Sequence, residues 1–487
     1  MSCCSPALRD FLELKYSELE EFNLDIKNER LSGMDDDYFE KKITAYLESE
    51  KRIKAVTVCF SDLEGKLQML DYDKKYFLDS YENLTFDGSS IHGFTDLGSS
   101  DLRLKPDFGS FRLLPADFFG SGKAILFATV RDKDGSQYAG DFRGVLAEKL
   151  KSLRAEKGFV FQVAPGIEGF LFSGTDVEQN FKEEEGFTLA TKGGYFNALP
   201  QDDLRKFIDA VAEVQRALGF ENEKDHGEVA PAQFEINFKY SDALITADQI
   251  LLYKLVARQV AKMMGFTASF LPKPQAGING SGMHSNLSIS QNGKNIFYDA
   301  KGEDGLSDFG QRFTTGILAR AKELCIIICP SVNAYRRLDP NFEAPNEIKK
   351  HACDRGSVIR IPLANEKSAR IEIRAVSPDA NPYLTFFAVL HAGLEGVYLP
   401  EKEYKALKEQ VEKKPVKKLY GNILDALAGY KSSHFLKVFL GEKNHEKYYD
   451  LKKTAADRSP KALGKKVKRG EVIYHHEITN QILWNDF

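Results

Sequence analysis

Four segments of the sequence alternate apolar residues with charged or amide side chains, the pattern of a β-strand with one polar face. They are APGIEGFLF (164–172), QFEINF (233–238), GMHSNLSI (282–289) and SARIEIRAV (368–376). Any one of them could be an antiparallel strand whose polar face meets water. Solvent faces ordinarily carry Lys, Thr and Ser, however, while these four carry Glu, His, Arg and Asn. Together they therefore predict strands that point charge toward a shared functional surface.

Composition excludes several classes of protein. The chain has 487 residues, 43% of them apolar and 28% charged, and a formal net charge of −4. This balance argues against a general binder of nucleic acid or of anionic membranes. Apolar runs such as LCIIIC are too short to span a bilayer, the N-terminal segment lacks the apolar core of a signal peptide, and six scattered cysteines form no disulfide framework. We expect a reduced, cytoplasmic protein.

The periodicity divides the chain into three parts. Residues 1–50 are charged and helical in pattern, and we expect them to form an N-terminal arm. Residues 51–140 are rich in short strands, and IKAVTVCFSDLEGKLQML predicts a hairpin that turns at Glu64–Gly65. Residues 141–487 mix the polar strands with longer helices such as TADQILLYKLVARQVAKMMGF. The expected fold class is α+β.

The polar strands and one nearby loop supply a set of potential metal ligands. Glu228, in DHGEVAPAQ, lies seven residues before Glu235. The whole set has four carboxylates and an imidazole: Glu168, Glu228, Glu235, Glu372 and His284. Grouped carboxylates repel one another, and oxygen-rich sets suit Mg²⁺ or Mn²⁺. Five arginines that suit phosphate and carboxylate recognition accompany them, namely Arg337, Arg355, Arg360, Arg370 and Arg374. Metal, phosphate and carboxylate sites together indicate ATP-dependent activation of an acid.

Seven motifs, in this order, resemble those of the bacterial type of glutamine synthetase over residues 50–487. They are FDGSSIHGF, KGGYFNALP, HGEVAPAQFEI, PKPQAGINGSGMH, SVNAYRRLDPNFEAP, DRGSVIRIP and ARIEIRAVSPDANPYL. The resemblance implies a β-grasp domain over residues 51–140. It also implies a catalytic domain over 141–487, with a curved antiparallel sheet flanked by helices. The implied reaction joins ammonia to glutamate through a γ-glutamyl phosphate made from ATP, which gives glutamine.

The resemblance assigns roles to the metal ligands. Glu168, Glu228 and Glu235 would hold a first Mg²⁺ or Mn²⁺ ion, which orients glutamate. His284 and Glu372 would hold a second ion, near the ATP γ-phosphate.

It also assigns the groups that hold the nucleotide. Arg337 and Arg355 would clamp the transferring phosphoryl group, with Arg370 near the nucleotide. Glu343 resembles the flap acid that keeps water from the acyl phosphate.

The two substrates of the ligation would be held by a further set of residues. Glutamate would meet Arg360, Arg374, Asn279 and Gly280. Asp87 would take a proton from ammonium, in a cage completed by Ser90, Tyr195 and Glu228. The family inserts this aspartate into the site of a neighbouring subunit, so we expect an obligatory homo-oligomer, a dodecamer of two hexameric rings. On its own, DGSS would be read as a turn.

The chain departs from the family pattern around the second metal. Gly166 stands where a second glutamate belongs, Gly227 replaces one histidine, and Asn286 replaces another. A lost carboxylate ligand should weaken metal binding, since even outer partners are worth ~10–100-fold. Three functions stay open: a glutamine synthetase with a loosened second metal site, a ligase that joins γ-glutamyl groups to a larger amine or polyamine, and a non-catalytic homologue.

Overall fold

The described part of the chain begins with two helices that pack beside a five-stranded sheet. The structure is a computed structural model, and it describes residues 13–91, 93–95, 98, 100–180, 186–197, 202–338 and 344–457. Helix α1 spans Tyr16–Ser32 and α2 spans Asp36–Ser49. Asp35 caps α2 by accepting a hydrogen bond from the backbone N–H of Tyr38. The helical part of the predicted arm is thus present over the described residues.

The first sheet has the strand order β2-β1-β5-β4-β3, with β1 and β5 parallel and the other pairs antiparallel. The predicted hairpin is confirmed: β1 and β2 are antiparallel, and Gly65 adopts φ +86° in the turn between them. Its elements are β1 Ala55–Ser61, β2 Leu67–Asp73, α3 Lys74–Ser80, β3 Leu84–Asp87, β4 Asp101–Leu113, α4 Ala116–Phe119 and β5 Lys123–Arg131.

The second sheet is larger and carries all four polar segments. Its main path is β13-β14-β15-β11-β6-β8-β7, while β9 and β10 pair with β6 and β12 pairs with β11. The elements from α5 to β12 are α5 Phe142–Lys157, β6 Phe159–Ser173, α6 Asp203–Ala217, β7 Asn222–Gly227, β8 Gln233–Phe238, β9 Ser241–Asp242, α7 Ala243–Met263, β10 Phe266–Ser269, β11 Met283–Gln291 and β12 Lys294–Asn295.

The remaining elements complete this sheet and cover it with helices. They are α8 Asp308–Ile328, α9 Val332–Arg337, β13 Glu347–His351, β14 Ser357–Arg360, β15 Ile371–Ile373, α10 Pro382–Tyr398, α11 Glu401–Glu412, α12 Ile423–Ser432, α13 His434–Leu440 and α14 Glu442–Ala456. Helix α8 packs along α10, and α7 packs behind β6 and β10. The α+β fold is confirmed. The sheet departs from the predicted antiparallel pattern at one pair, because residues 352–356 return the chain so that β14 runs parallel to β13.

A buried charged network joins the two sheets. Arg143 on α5 is fully buried, and its guanidinium donates to Asp107 on β4 at 2.6 Å and to Asp248 on α7 at 2.7 and 2.8 Å. The hydroxyl of Tyr383 donates to the same Asp248 at 2.7 Å. Breaking one partner of such a pair would leave an uncompensated buried charge. The network therefore fixes the first sheet against the helices of the second.

Helix α1 makes a second connection between the sheets. The side-chain amide of Asn23 donates to the carbonyls of Leu113 on β4 and Ala217 on α6 at 3.0 and 2.7 Å, and its oxygen accepts from the N–H of Leu113 at 2.8 Å. One turn later, buried Lys27 pairs with Glu221 at 3.0 Å, just before β7. Helix α1 thus contacts β4 of the first sheet and, through Ala217 and Glu221, the segment that leads into β7 of the second. In the described residues, no helix is both long and apolar enough to cross a membrane.

Candidate active site

The pairing of β6 with its neighbours brings the predicted ligands to one face of the second sheet. Glu168 on β6 lies opposite Glu235 on β8. Two residues earlier on the same face of β6, Gly166 lies opposite His284 on β11. Across the next pair, Asn286 on β11 lies opposite Glu372 on β15. The alternation read from the sequence therefore converges on one surface.

Three ligand groups meet at the β7–β8 end of this surface. His226, Glu228 and Glu235 each offer one ligand atom, and these atoms all lie within 4.8 Å of one another. The imidazole Nδ1 of His226 lies 3.3 Å from the Glu228 carboxylate. Glu168 joins this acidic cluster from β6 and is held by the backbone N–H of Gly282, which donates to its carboxylate at 2.7 Å. A distance of 4.8 Å or less allows one cation to contact all three groups.

Burial and like charge shift the carboxyl groups of this cluster. Burial, reinforced by the charge of Glu228, raises the pKa of Glu168 from its ordinary value to about 7, against the opposing effect of Arg337. Burial raises the pKa of Glu235 as well, and the charges of Glu168 and Glu228 add to the rise. A divalent cation would relieve this repulsion, because it supplies the positive charge that the cluster lacks.

A second pair of potential ligands lies at the β11–β15 side. The Nδ1 atom of His284 is 3.6 Å from the Glu168 carboxylate and 3.8 Å from that of Glu372. Burial lowers the pKa of His284 well below its ordinary value, and the neighbouring arginines, Arg374 first among them, lower it further. The imidazole is therefore neutral, which is the form that binds metals. The Nε atom of Arg360 donates to the carboxylate of Glu372, so this carboxylate already has a cationic partner.

The space beside Gly166 is occupied by a neighbouring ligand. A Cβ atom at position 166 would lie 2.5 Å from Oε1 of Glu235. The carboxylate of Glu235 thus lies over the backbone of β6 at the position where the resemblance predicts another glutamate. In the same place, the side-chain N–H₂ of Asn237 is buried without a hydrogen-bond acceptor in the described part of the chain. Oxygen-rich ligands, a neutral histidine and mutual repulsion together fit one or two Mg²⁺ or Mn²⁺ ions.

Arg337 is the best-anchored of the predicted arginines. It ends α9, is buried, and donates to the carbonyls of Arg374 and Ala375 at 2.8 and 3.1 Å. The loop before β11 packs closely against the Arg337 side chain. A Cβ atom at Gly280 would lie 3.0 Å from its Cγ, and a Cβ atom at Gly282 would lie 2.5 Å from its Nη2. The glycines of INGSGMH therefore make room for this guanidinium. Burial lowers its pKa, partly offset by Glu168.

The other arginines border the same surface. Arg374 donates to the backbone carbonyl of Arg355 and lies 3.8 Å from the carboxylate of Glu372. Arg370 donates to the side-chain oxygen of Asn286 at 3.0 Å. Asn286, which stands at the position of a family histidine, is thus used to orient an arginine.

The predicted ammonium residues divide into two groups. Asp87 ends β3 in the first sheet, and its carboxylate accepts hydrogen bonds from the N–H and hydroxyl of Ser89 at 2.9 and 2.6 Å and from the hydroxyl of Ser90 at 2.6 Å. These bonds lower its pKa. Tyr195 lies instead near the acidic cluster, with its ring centroid 5.8 Å from that of His226.

Three further outcomes concern single residues. Glu343 lies outside the described residues. Sequence reasoning missed His226, although it precedes Glu228 by two positions. It also missed Gln233, whose amide donates to Glu168 at 3.4 Å and to the carbonyl of Gly280 at 3.1 Å. In both cases the period-two spacing from a predicted ligand was an available signal.

The glutamine synthetase family matches nearly the whole described chain. Its β-grasp domain model matches residues 52–133 and its catalytic domain model matches residues 139–466. Glutamine synthetases of Methanosarcina mazei and Thermotoga maritima are 38% and 35% identical, over 81% and 82% of this chain and 89% and 92% of those proteins. The chain belongs to the glutamine synthetase family of ligases, which generally use ATP and divalent metal ions.

Solved structures agree on the fold. The cryo-electron microscopy structure of Plasmodium falciparum glutamine synthetase has a TM-score of 0.76 at 22% identity, over 86% of this chain and 95% of that one. The structure of a GmaS/ADP complex has a TM-score of 0.71 at 27% identity, over 85% and 95%. The predicted domain boundaries and residue roles stay predictions.

Proposed function

We propose that the protein ligates ammonia to glutamate at the expense of ATP, through a γ-glutamyl phosphate, to give glutamine. The observation that carries this proposal is the meeting, across β6, of the acidic cluster with a buried arginine. Glu168 is the common member, since it contacts the β7–β8 ligands on one side and lies in the field of Arg337 on the other. Bound Mg²⁺ or Mn²⁺, held by the carboxylates and histidines described above, would supply positive charge to the phosphates.

The residues of the chain would bind and orient the other groups. Arg337 and Arg355 would hold the transferring phosphoryl group, since positioning and charge stabilisation account for most of phosphoryl-transfer catalysis. Arg370 would contact the nucleotide. Glutamate would lie among Arg360, Arg374, Asn279 and Gly280. Asp87, whose pKa is lowered by its serine turn, stays ionised and would accept the proton of ammonium.

The acceptor side favours ammonia over a bulkier amine. Replacement of a histidine by glycine at position 227 could have enlarged this region. Instead, a Cβ at Gly227 would lie 2.9 Å from the carbonyl oxygen of Gly194, so the backbone before Tyr195 fills the space. This close approach brings the loop that carries Tyr195 toward Glu228.

A second candidate function is the joining of γ-glutamyl groups to an organic amine. Tyr195, Phe196 and His226 form an aromatic group beside Glu228, with ring centroids 3.8 Å apart for Tyr195–Phe196 and 6.2 Å for Phe196–His226. Aromatic faces next to a carboxylate suit substituted ammonium ions.

The test is phosphate release by the purified protein with ATP, glutamate and Mg²⁺ or Mn²⁺, with ammonia compared against methylamine and a polyamine. We expect ammonia-dependent release that is lost in Asp87→Ala. Asp134→Ala is a matched control, because Asp134 accepts bonds from the N–H and hydroxyl of Ser136 at the same 2.9 and 2.6 Å. Release only with an organic amine would favour the second candidate. No release with any acceptor at high metal concentration would favour a non-catalytic homologue.

The proposal extends to assembly and location. If Asp87 acts in a neighbouring subunit, the protein works as a homo-oligomer, and a dodecamer of two hexameric rings in the cytoplasm is the form we propose. Mixing the Asp87→Ala and Arg337→Ala variants, followed by reassembly, should restore part of the activity. At some interfaces, Asp87 of an Arg337→Ala subunit would then meet the intact Arg337 of an Asp87→Ala subunit. Absence of such complementation in reassembled oligomers would contradict an inter-subunit site.

A further inference from the structure

A cavity of about 400 Å³ lies apart from the candidate active site, between the β1–β2 turn, the second half of α7, β10 and residues 378–380. The residues that line it include none of the predicted site residues. Its volume falls within the range of small-molecule sites, about 300–1,000 Å³. The cavity joins parts of both sheets, because Gly65 and Met69 come from the first sheet and Phe270 follows the second.

One helix supplies three cations to this cavity. Lys254, Arg258 and Lys262 follow one another at four-residue intervals on α7, and all three line the cavity. Lys262, at the exposed end, pairs with Asp176 at 3.1 Å. Lys254, at the buried end, donates to the backbone carbonyl of Pro378. The three basic side chains thus follow one another from the exposed end of the cavity to its buried end.

The two inner cations lack a close anionic partner. Among the described residues, neither Lys254 nor Arg258 forms a salt bridge. Arg258 stacks over the ring of Phe270, 5.3 Å from its centroid, and Glu178 offsets its charge only at longer range. Burial, reinforced by the charge of Arg258, lowers the pKa of Lys254 to about 7 against the opposing charge of Asp379. Buried positive charge without a counterion is costly, so an entering anion would be stabilised.

The rest of the wall is mixed. Four carboxylates line it: Glu64 pairs with Lys66 and Lys452, Asp176 pairs with Lys262, and Glu178 and Asp379 are the other two. An apolar group surrounds the two inner cations. Leu251, Leu255, Phe266, Ala268 and Leu271 lie around the two cations. A ligand of matching chemistry has one anionic group and an apolar body. Inorganic anions alone would leave this apolar group uncovered.

We propose that this cavity is a binding site for a small organic anion, with its carboxylate or phosphate group between Lys254 and Arg258 and its apolar part against Phe270. The site is distinct from the substrate sites proposed above, and its occupancy does not depend on the proposed function. The cavity is lined by two segments that adjoin Arg337 of the candidate active site. Ser331 and Asn333, which precede and begin the helix of Arg337, line the same cavity, and Pro378 closes its other side. An occupant would therefore contact both segments next to the guanidinium.

The test measures equilibrium binding of benzoate and phenyl phosphate to the purified full chain by ligand-observed NMR, with neutral benzamide as the uncharged analogue. We expect at least one anion to bind and benzamide to bind ~10-fold more weakly, since the neutral amide cannot form a charge-assisted hydrogen bond with either cation through an anionic group. Preference for benzoate would assign the site to carboxylates, and preference for phenyl phosphate would assign it to phosphate esters.

Variants locate the binding. Lys254→Met and Arg258→Met should each weaken anion binding ~10-fold. Lys149→Met, in a separate groove, should leave it unchanged. Leu255→Trp narrows the cavity while keeping both cations, and it should also weaken binding, so the test survives if a methionine variant fails to fold. Equal binding of benzamide, unchanged affinity in all cavity variants, or no binding of either anion would overturn the proposal.

Discussion

Removing the charge of Glu168 should stabilise the metal-free protein at alkaline pH, although Glu168 is a predicted metal ligand. Its pKa is raised in the folded chain from 4.5 to about 7. The folded state therefore holds a proton that the unfolded state has lost between these two pH values. Stability falls as pH rises from 4.5 to 7 and stays reduced above 7, the reverse of a salt-bridged carboxylate. Glu168→Gln abolishes this penalty.

The size of the effect follows from the two pKa values. Their difference, 7 minus 4.5, corresponds to about 3 kcal/mol at pH 8. At pH 5 the unfolded group is only partly ionised, and the same reasoning leaves ~1 kcal/mol. Glutamine keeps an oxygen that can accept from the N–H of Gly282. With an unfolding entropy of about 2.1 cal/mol/K per residue, a chain of 487 residues should gain ~3 °C in Tm at pH 8.

The assay is thermal unfolding of the chelator-treated protein at pH 5 and pH 8. We expect Glu168→Gln to melt above the wild type at pH 8, with a smaller difference at pH 5. Added Mg²⁺ should raise the Tm of the wild type more than that of the variant, because the ligand is lost. Glu213→Gln, an exposed glutamate on α6 that pairs with Arg216, is the matched control and should change neither Tm. A variant that is less stable than the wild type at pH 8 without metal would refute the reasoning.

Two further perturbations address the metal site and the junction between the sheets. Gly166→Glu adds a carboxylate at a position where the Cβ atom would meet one close atom, Oε1 of Glu235. Mn²⁺ affinity, measured by electron paramagnetic resonance titration, should rise ~10-fold or more, and an unchanged or lower affinity would argue against a lost ligand. Asn23→Ala removes the hydrogen-bond partners of Leu113 and Ala217. The free energy of unfolding, measured in urea, should therefore fall by about 2–4 kcal/mol. A fall below ~1 kcal/mol would indicate that helix α1 is not needed to join the sheets.

The local pattern of the sequence was sufficient to predict which side chains share one face of a strand. Period-two alternation placed Glu168 and Glu235 on polar faces, and the hairpin at Glu64–Gly65 followed from turn chemistry. The structure confirms both. Motif order led to the family, which the comparisons confirm. These features depend on residues that are close together in the chain, or on motifs compared as a set.

Pairing between distant segments was not predictable in the same way. Nothing near Gly166 in the sequence indicates that the carboxylate of Glu235, 69 positions later, fills its place. The contact of Gly227 with Gly194 is likewise a matter of how a loop folds back onto a strand end. The missing side chain at position 227 therefore does not by itself enlarge the acceptor region. Substitutions to glycine report lost side chains, but only the packed fold shows what occupies the space.

Helix α1 ends at Ser32, 20 positions before residue 52, the first residue matched by either family model. A fragment trimmed to the matched region would lack Asn23 and Lys27. It would expose the backbone polar groups of Leu113 and would leave Glu221 with Lys239 as its remaining partner. The region that the two family models match is therefore smaller than the region needed to satisfy the buried polar groups between the sheets. For expression, crystallisation or the design of a minimal enzyme, the working boundary of this protein lies ahead of Tyr16.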